Sequence, residues 1–460
     1  MKLQFPAGFS RLRFALCLSA AAAALCASAW AASQTASQTA AVPDAPAPLP
    51  APPRPGRITV LPSRLPEKPS LPPAFSISVE PLSFSAPGPL YLGQRNSLVS
   101  LDFLDENRLL FTFRVPGLMR REFAENDAGE ERQIRAVVLS LPAGAVLAEA
   151  LWTVHDRARY LWMLKDGHFL LRDRENLGLG DASLELKPLL RFPGPVTWLE
   201  MDPAGDYLVA DSREPAAVTP KPGEVPSPAT ASASITVDGQ KAAPQAETVV
   251  RILRRESGKV MLVSRVRSSV HLPINSSGYL ESLRASGTQW VVNLNYFSGG
   301  SKVLGRVESA CSPLLEFLSD RSVLSTGCFS DGQGRLTALS ADGRRLWEAR
   351  TGDTAVWPLI VRSPDGSHLA REALAVSHPV SPRAPIDRED IKGQLVEVID
   401  AANGAVALET TASPALDAGG NVAFSPSGHR VAVLNGGAIQ VFELPPSAAL
   451  PDPLPAQPLP

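Results

Sequence analysis

The chain has 460 residues, with 44 Lys and Arg against 46 Asp and Glu, 44% hydrophobic side chains and 44 prolines. Its formal net charge of −2 supplies no field that would draw it to nucleic acid or to an acidic membrane surface. The length exceeds one ordinary core but suits a single large all-β domain.

At the start of the chain, Lys2, Arg11 and Arg13 precede an Ala- and Leu-rich run from Phe14 to Ala29 that ends in Ala29-Trp30-Ala31. This pattern predicts a secretory signal peptide over residues 1–31, with a retained membrane anchor as the alternative. The run is short for a bilayer crossing, so no stable span is expected after cleavage. Leu25 before Cys26 argues against lipid attachment, since lipoprotein signals carry a small residue there. The expected compartment is the periplasm or the outside of the cell.

Residues 32–73 hold PDAPAPLPAPPRPG and little that can pack, and residues 445–460 read PPSAALPDPLPAQPLP. Both are expected to be extended, solvated tethers around a domain at 74–444. A ligand for an SH3-like domain is the functional alternative.

Within the domain, Asn421 to Phe442 reads as a unit: apolar run, Pro-Ser-Gly turn, second run, Gly-Gly break, third run. The runs are short and β-branched, so they predict antiparallel strands. Related hairpins occur at Val196–Ala210, turning at Asp-Pro-Ala-Gly, and at Leu359–Ala370, turning at Ser-Pro-Asp-Gly. Weaker copies turn at Asp105-Glu106-Asn107, Lys165-Asp166-Gly167, Ala285-Ser286-Gly287 and Ser319-Asp320-Arg321. Second hairpins are expected around Gly144, Gly258, Gly343 and Gly404. The seven first turns lie near 106, 166, 204, 286, 320, 365 and 427, against a spacing of roughly 40–45 for a regular four-stranded repeat. The long gaps require insertions.

The Pro-Asp-Gly and Pro-Ser-Gly hairpins resemble the WD40-like and YVTN-like β-propeller repeats of bacterial proteins. The resemblance implies an all-β fold: one propeller of seven four-stranded blades, with six or eight as alternatives. In such propellers an N-terminal strand completes the last blade, and Phe75 to Phe84 is available for that role. The segment Ala341-Asp342-Gly343-Arg344-Arg345-Leu346-Trp347 resembles the tryptophan-docking repeat of quinoprotein propellers, in which an outer-strand tryptophan packs between blades. One copy supports packing rather than a quinone, so no cofactor is expected.

Cys311 and Cys328 flank the hairpin at Ser319-Asp320-Arg321, and counting outwards along its strands places them nearly opposite each other. They are either a disulfide, which needs a Cα separation of roughly 4.4–6.8 Å, or two buried thiols out of register. The six histidines, His155, His168, His271, His368, His378 and His429, are scattered and read as solvated turn residues. Asp102, Asp105 and Glu106 sit in or beside a turn and read as a solvated rim. No nucleophile elbow, His-Glu-x-x-His or phosphate loop is present in the sequence, so no catalytic or metal-binding residue is assigned.

Three insertions follow second strands: Met119 to Arg132, Arg213 to Glu247 and Ser377 to Lys392. In a four-stranded meander these connections all emerge on one face, where recognition is commonly built. The expected partner contacts there are Arg120, Arg121, Glu122, Arg383, Asp387, Arg388 and Asp390, with tolerated surface loops as the plain alternative. Two functional classes remain. One is an exported scaffold that binds a protein or an extracellular polymer. The other is an enzyme of lactonase, lyase or glycosidase type at the central channel, for which Glu200 and Glu316 are the first suspects, although their spacing alone shows no convergence.

Overall fold

The computed structural model describes residues 70–88, 97–115, 120–121, 130–155, 159–215, 236–237, 240–241, 246–267, 269–329, 333–352, 354–380 and 386–447. The predicted signal peptide, most of both tethers, Glu122 and Arg383 lie outside these residues.

Seven antiparallel sheets follow one another along the chain as the blades of a β-propeller. Their inner strands are Val99–Asp105, Leu161–Met163, Val196–Met201, Gly278–Ser286, Leu314–Ser319, Ala355–Arg362 and Val422–Phe424, which we number as blades 1 to 7. All seven expected first turns fall between an inner strand and its neighbour, and the four second hairpins fall where Gly144, Gly258, Gly343 and Gly404 placed them. Five blades carry four strands, and blade 1 carries a short fifth, Arg120–Arg121. Blade 4 shows three, ending at Ser301–Glu308, because the next inner strand starts at Leu314 and the five residues between them leave no room for another pass.

The strands form because their side chains alternate between two apolar neighbours. In the second strand of blade 1, Arg108–Arg114, Leu109, Phe111 and Phe113 enter the seam with blade 7, whereas Leu110 enters the seam with blade 2. Seven buried apolar clusters result, one for each pair of adjacent blades. The seam between blades 7 and 1 is the largest, with 17 buried side chains, and the seam between blades 3 and 4 is the smallest, with four. At the largest seam, strand Phe75–Ser78 pairs antiparallel with Ala438–Glu443 and closes the ring, although the expected strand from Phe75 to Phe84 stops early and gives way to a 3-10 turn at Glu80–Leu82.

Trp347, on the outer strand of blade 5, is buried against blade 6 and donates its indole N–H to the Ala401 carbonyl at 2.8 Å. It lies over Gly404, where a β-carbon would meet the indole at 2.7 Å and where φ is +76°. Trp152 does the same between blades 1 and 2, donating to the Leu184 carbonyl at 3.3 Å. The docking role read for Trp347 therefore recurs at a tryptophan that the sequence motif did not mark. Replacing Trp347 by Ala should cost about 3–5 kcal/mol, measured by chemical denaturation. Gly404→Ala should destabilise the same seam, because it adds a clash to a left-handed backbone, and neutrality of both variants would refute the packing account.

Candidate functional site

Inner strands bring their exposed edges together around the channel, and six of the seven blades direct ionisable side chains there. Asp102 comes from blade 1, Arg159 from the approach to blade 2, Glu200 from blade 3, His271 from the approach to blade 4, Glu316 from blade 5 and Arg362 from blade 6, and each acts on the charge of another; Glu372 is fully buried on the second strand of blade 6 and acts on Arg159 from there. Glu200 and Glu316, read from sequence without convergence, are in fact coupled through His271 and through each other's charge. Linear spacing did not reveal this because the two strands belong to different blades, with blade 4 between them.

Arg362 forms a floor of hydrogen bonds across three blades where the inner strands end. Arg362, the last residue of its inner strand, donates to the Phe317 carbonyl of blade 5 at 2.9 Å and to the Met201 and Asp202 carbonyls of blade 3 at 3.2 and 3.1 Å. A guanidinium carries five N–H donors in a rigid fork, which suits it to bridge several carbonyls at once. Above this floor, His271 lies with Nδ1 3.0 Å from Glu200 and donates from Nε2 to the Leu315 carbonyl at 2.7 Å. Trp198 packs edge-on against the imidazole, with ring centres 6.1 Å apart. Burial opposes the charge of His271, but the Glu200 carboxylate overcomes it and raises the pKa to about 9, so the imidazole is a cation at neutral pH.

The carboxyls above are pushed the other way. Burial raises Glu316 to about 7, against the opposing pull of His271. It raises Asp102 to about 6, against a hydrogen bond from Ser100, and Glu372 to about 8, against Arg159. Arg159 itself is exposed to solvent. Asp102 and His271 thus leave the solvated turns where sequence placed them. His368 also leaves, being buried at the start of its strand. Among the described residues, no group of three or more His, Cys, Asp or Glu side chains is arranged to hold a metal ion.

The second-to-third connections separate into two kinds. In blades 2, 4, 5 and 7 they are tight, whereas blades 1, 3 and 6 carry the long stretches 115–129, 216–245 and 377–390. The meander sends all of them to the face where the inner strands begin, opposite the Arg362 floor. Arg120 and Arg121 form a two-residue strand paired with Glu131 and Glu130. Asp387 is exposed, and Arg388 to Asp390 form a single 3-10 turn. Asp390 accepts from the Ser377 hydroxyl at 3.0 Å and lies 3.4 Å from His378, which closes its own loop. The residues expected as one surface thus belong to blades 1 and 6, which flank blade 7. Cys311 and Cys328 face each other with their Cα atoms 5.8 Å apart, within the span that a disulfide requires.

No family model matches the sequence, and no curated protein matches it. Among solved structures, an acylaminoacyl peptidase of Pyrococcus horikoshii aligns with 76% of this chain and 51% of its own, at 11% identity and a TM-score of 0.41. Hsv2p of Kluyveromyces lactis aligns with 63% of this chain and 75% of its own, at 11% identity and a TM-score of 0.35. The chain thus spans about half the length of the peptidase it matches. Likeness at this level says nothing of activity.

The raised pKa values fix the sign of the pH dependence. Glu372 and Glu316 hold their protons more tightly folded than unfolded, so between about pH 4.5 and 8 the unfolded chain binds fewer protons and stability falls as pH rises. His271 extends the fall toward pH 9, because its folded pKa also lies above its ordinary value of 6.5. The melting temperature should therefore decline from pH 5 to pH 9, and Glu372→Gln should flatten the part below pH 8. A melting temperature that rises over this range in the parent protein would contradict the assignment. In a second measurement, Cys311 and Cys328 should resist alkylation until a reductant is added, as judged by peptide mass.

Proposed function

We propose that the protein is an exported binding propeller, built from repeats of the WD40-like or YVTN-like kind, that engages a protein or an extracellular polymer without transforming it. The observation that supports this reading is that the strand ends bounding three long connections, Arg114 and Glu130, Pro215 and Ala246, and Val376 and Ile391, all lie on the face where the inner strands begin. Loops on a rigid ring are suited to recognition, since the ring holds them in fixed relation while their sequences vary. Arg120, Arg121 and Glu122 on blade 1 and Arg383, Asp387 and Arg388 on blade 6 supply charge of both signs for the contact, and Asp390 shapes the blade 6 loop.

A second reading is favoured by one specific observation. Glu316 is held near neutrality in the field of Glu200 and His271, the state a general acid or base needs. A channel enzyme of lactonase, lyase or glycosidase type would use Glu316 to exchange the proton and Glu200 to keep His271 charged.

The two readings separate experimentally. Shortening 116–129, 216–245 and 377–390 one at a time should abolish capture of at least one partner from the native cell envelope while leaving the melting temperature unchanged. Unaltered capture by all three variants would overturn the binding reading. Turnover of chromogenic glycosides or lactones that is lost in Glu316→Gln would replace it with the enzymatic one.

A further inference from the structure

The overall charge of −2 conceals one strongly cationic stretch. Residues 254–267 form the second hairpin of blade 3 and its outer strand, Val260–Val266, and they carry Arg254, Arg255, Lys259, Arg265 and Arg267 against Glu256 alone. The corresponding hairpins of blades 1 and 6 differ: residues 140–154 have Glu149 as their one charge, and residues 400–412 have Asp400 and Glu409 with no cation. Part of the blade 3 surplus is used within the blade, since Arg255 donates to the Gly205 carbonyl at 2.7 Å and Arg265 pairs with Glu247 at 2.8 Å. Arg254, Lys259 and Arg267 are exposed, with Glu256 exposed among them. Arg254 spends one N–H on the Tyr207 hydroxyl at 3.3 Å, which leaves it four others.

The same strand holds apolar side chains out into solvent. Val260, Met261 and Val263 are 44, 43 and 55% exposed, whereas Leu262 and Val266, on the other face, pack against the seam with blade 4. A shift in pairing between Ile252 and Leu253 leaves Met261 as the extra residue of a bulge. Leu190 of blade 2 lies 3.0 Å from where a Gly258 β-carbon would stand, so the end of that blade's outer strand, Lys187–Arg191, sits beside the hairpin. Leu186 and Lys187 are exposed there as well.

This combination selects the partner. A strand from another protein is opposed, because a bulge and neighbouring cations blunt a sheet edge. An acidic protein would satisfy the cations and leave the apolar side chains without a use. A bilayer with anionic headgroups satisfies both, since apolar side chains enter the boundary between headgroups and acyl chains while Lys and Arg stems lie along it with their charges at the phosphates. Blade 1 supplies the contrast: Val146, Leu147 and Leu151 are just as exposed, but Glu149 lies among them and no cation accompanies them.

We propose that the rim of blade 3 rests on a bilayer surface carrying anionic phospholipid, with Val260, Met261 and Val263 in the headgroup boundary and Arg254, Lys259 and Arg267 among the phosphates. The contact is peripheral and reversible. It is separate from the channel and from the long connections, so a ring held by its edge keeps the face that carries those connections free for another partner.

The test is co-sedimentation of the intact protein with vesicles of phosphatidylcholine alone and of phosphatidylcholine mixed in equal parts with phosphatidylglycerol. The protein should sediment with the anionic vesicles only, and less so as salt is added. Lys259→Gln and Arg267→Gln should each lower the partition coefficient about fivefold, and Met261→Asp and Val263→Asp about tenfold or more, all at an unchanged melting temperature. Leu147→Asp on blade 1 should leave binding as it was, as should shortening any of the three long connections. Absence of binding to anionic vesicles, equal binding to phosphatidylcholine, or full binding in the Met261→Asp, Val263→Asp double variant would overturn the proposal. Displacement from the vesicles by inorganic phosphate at matched ionic strength would assign the cations to a lone anion instead, and tighter binding to polyglutamate would assign them to an acidic protein. Either result would also overturn it.

Discussion

The structure depends on one constraint: each small sheet is apolar on both faces and has no other element to hide them. No α-helix covers any blade among the described residues. Each sheet therefore needs a neighbour on either side, and only a closed ring supplies two neighbours to all seven. This is why the largest buried cluster lies where the two ends of the domain meet. Elsewhere the chain connects adjacent blades covalently in sequence order, but at the closure the apolar seam and the Phe75–Ser78 pairing must hold the ring without that help.

The same arrangement produces the channel. Seven inner strands cannot meet at a point, so their edges surround a shaft into which ionisable side chains can be directed. Placing carboxylates there opposes their ionisation, and the ring answers in two ways: Glu200 is paired with His271, and Asp102 accepts from Ser100. Arg362 goes further, using its guanidinium as a tie between blades 3, 5 and 6.

Much of this was legible in the residue pattern. Pro-x-Gly turns marked three of the first hairpins and weaker polar turns between apolar runs the other four, because turn chemistry is local and the alternation of a strand is too. The closing strand at Phe75 and the docking of Trp347 were likewise readable. Trp152 was missed, since no Asp-Gly-Arg motif precedes it. The channel residues were missed for a different reason. Asp102 lies close to a turn in sequence, and His271 lies in an irregular connection, so neither announces that a ring will carry it to the axis. Convergence of side chains from six blades is a property of closure, which no window of sequence contains. The expected partner residues were placed only in part, with Asp390 drawn into holding its own loop.

Blade 4 carries a different implication. With three strands and only four buried apolar side chains joining it to blade 3, it makes the circle unequal in strength around its circumference. A closed ring under thermal or mechanical load parts at its weakest joint, so this one should yield between blades 3 and 4 rather than where the chain ends are fastened. The circle would then relax into an open arc whose halves remain linked through residues 267–277, with the fastening of its ends still intact.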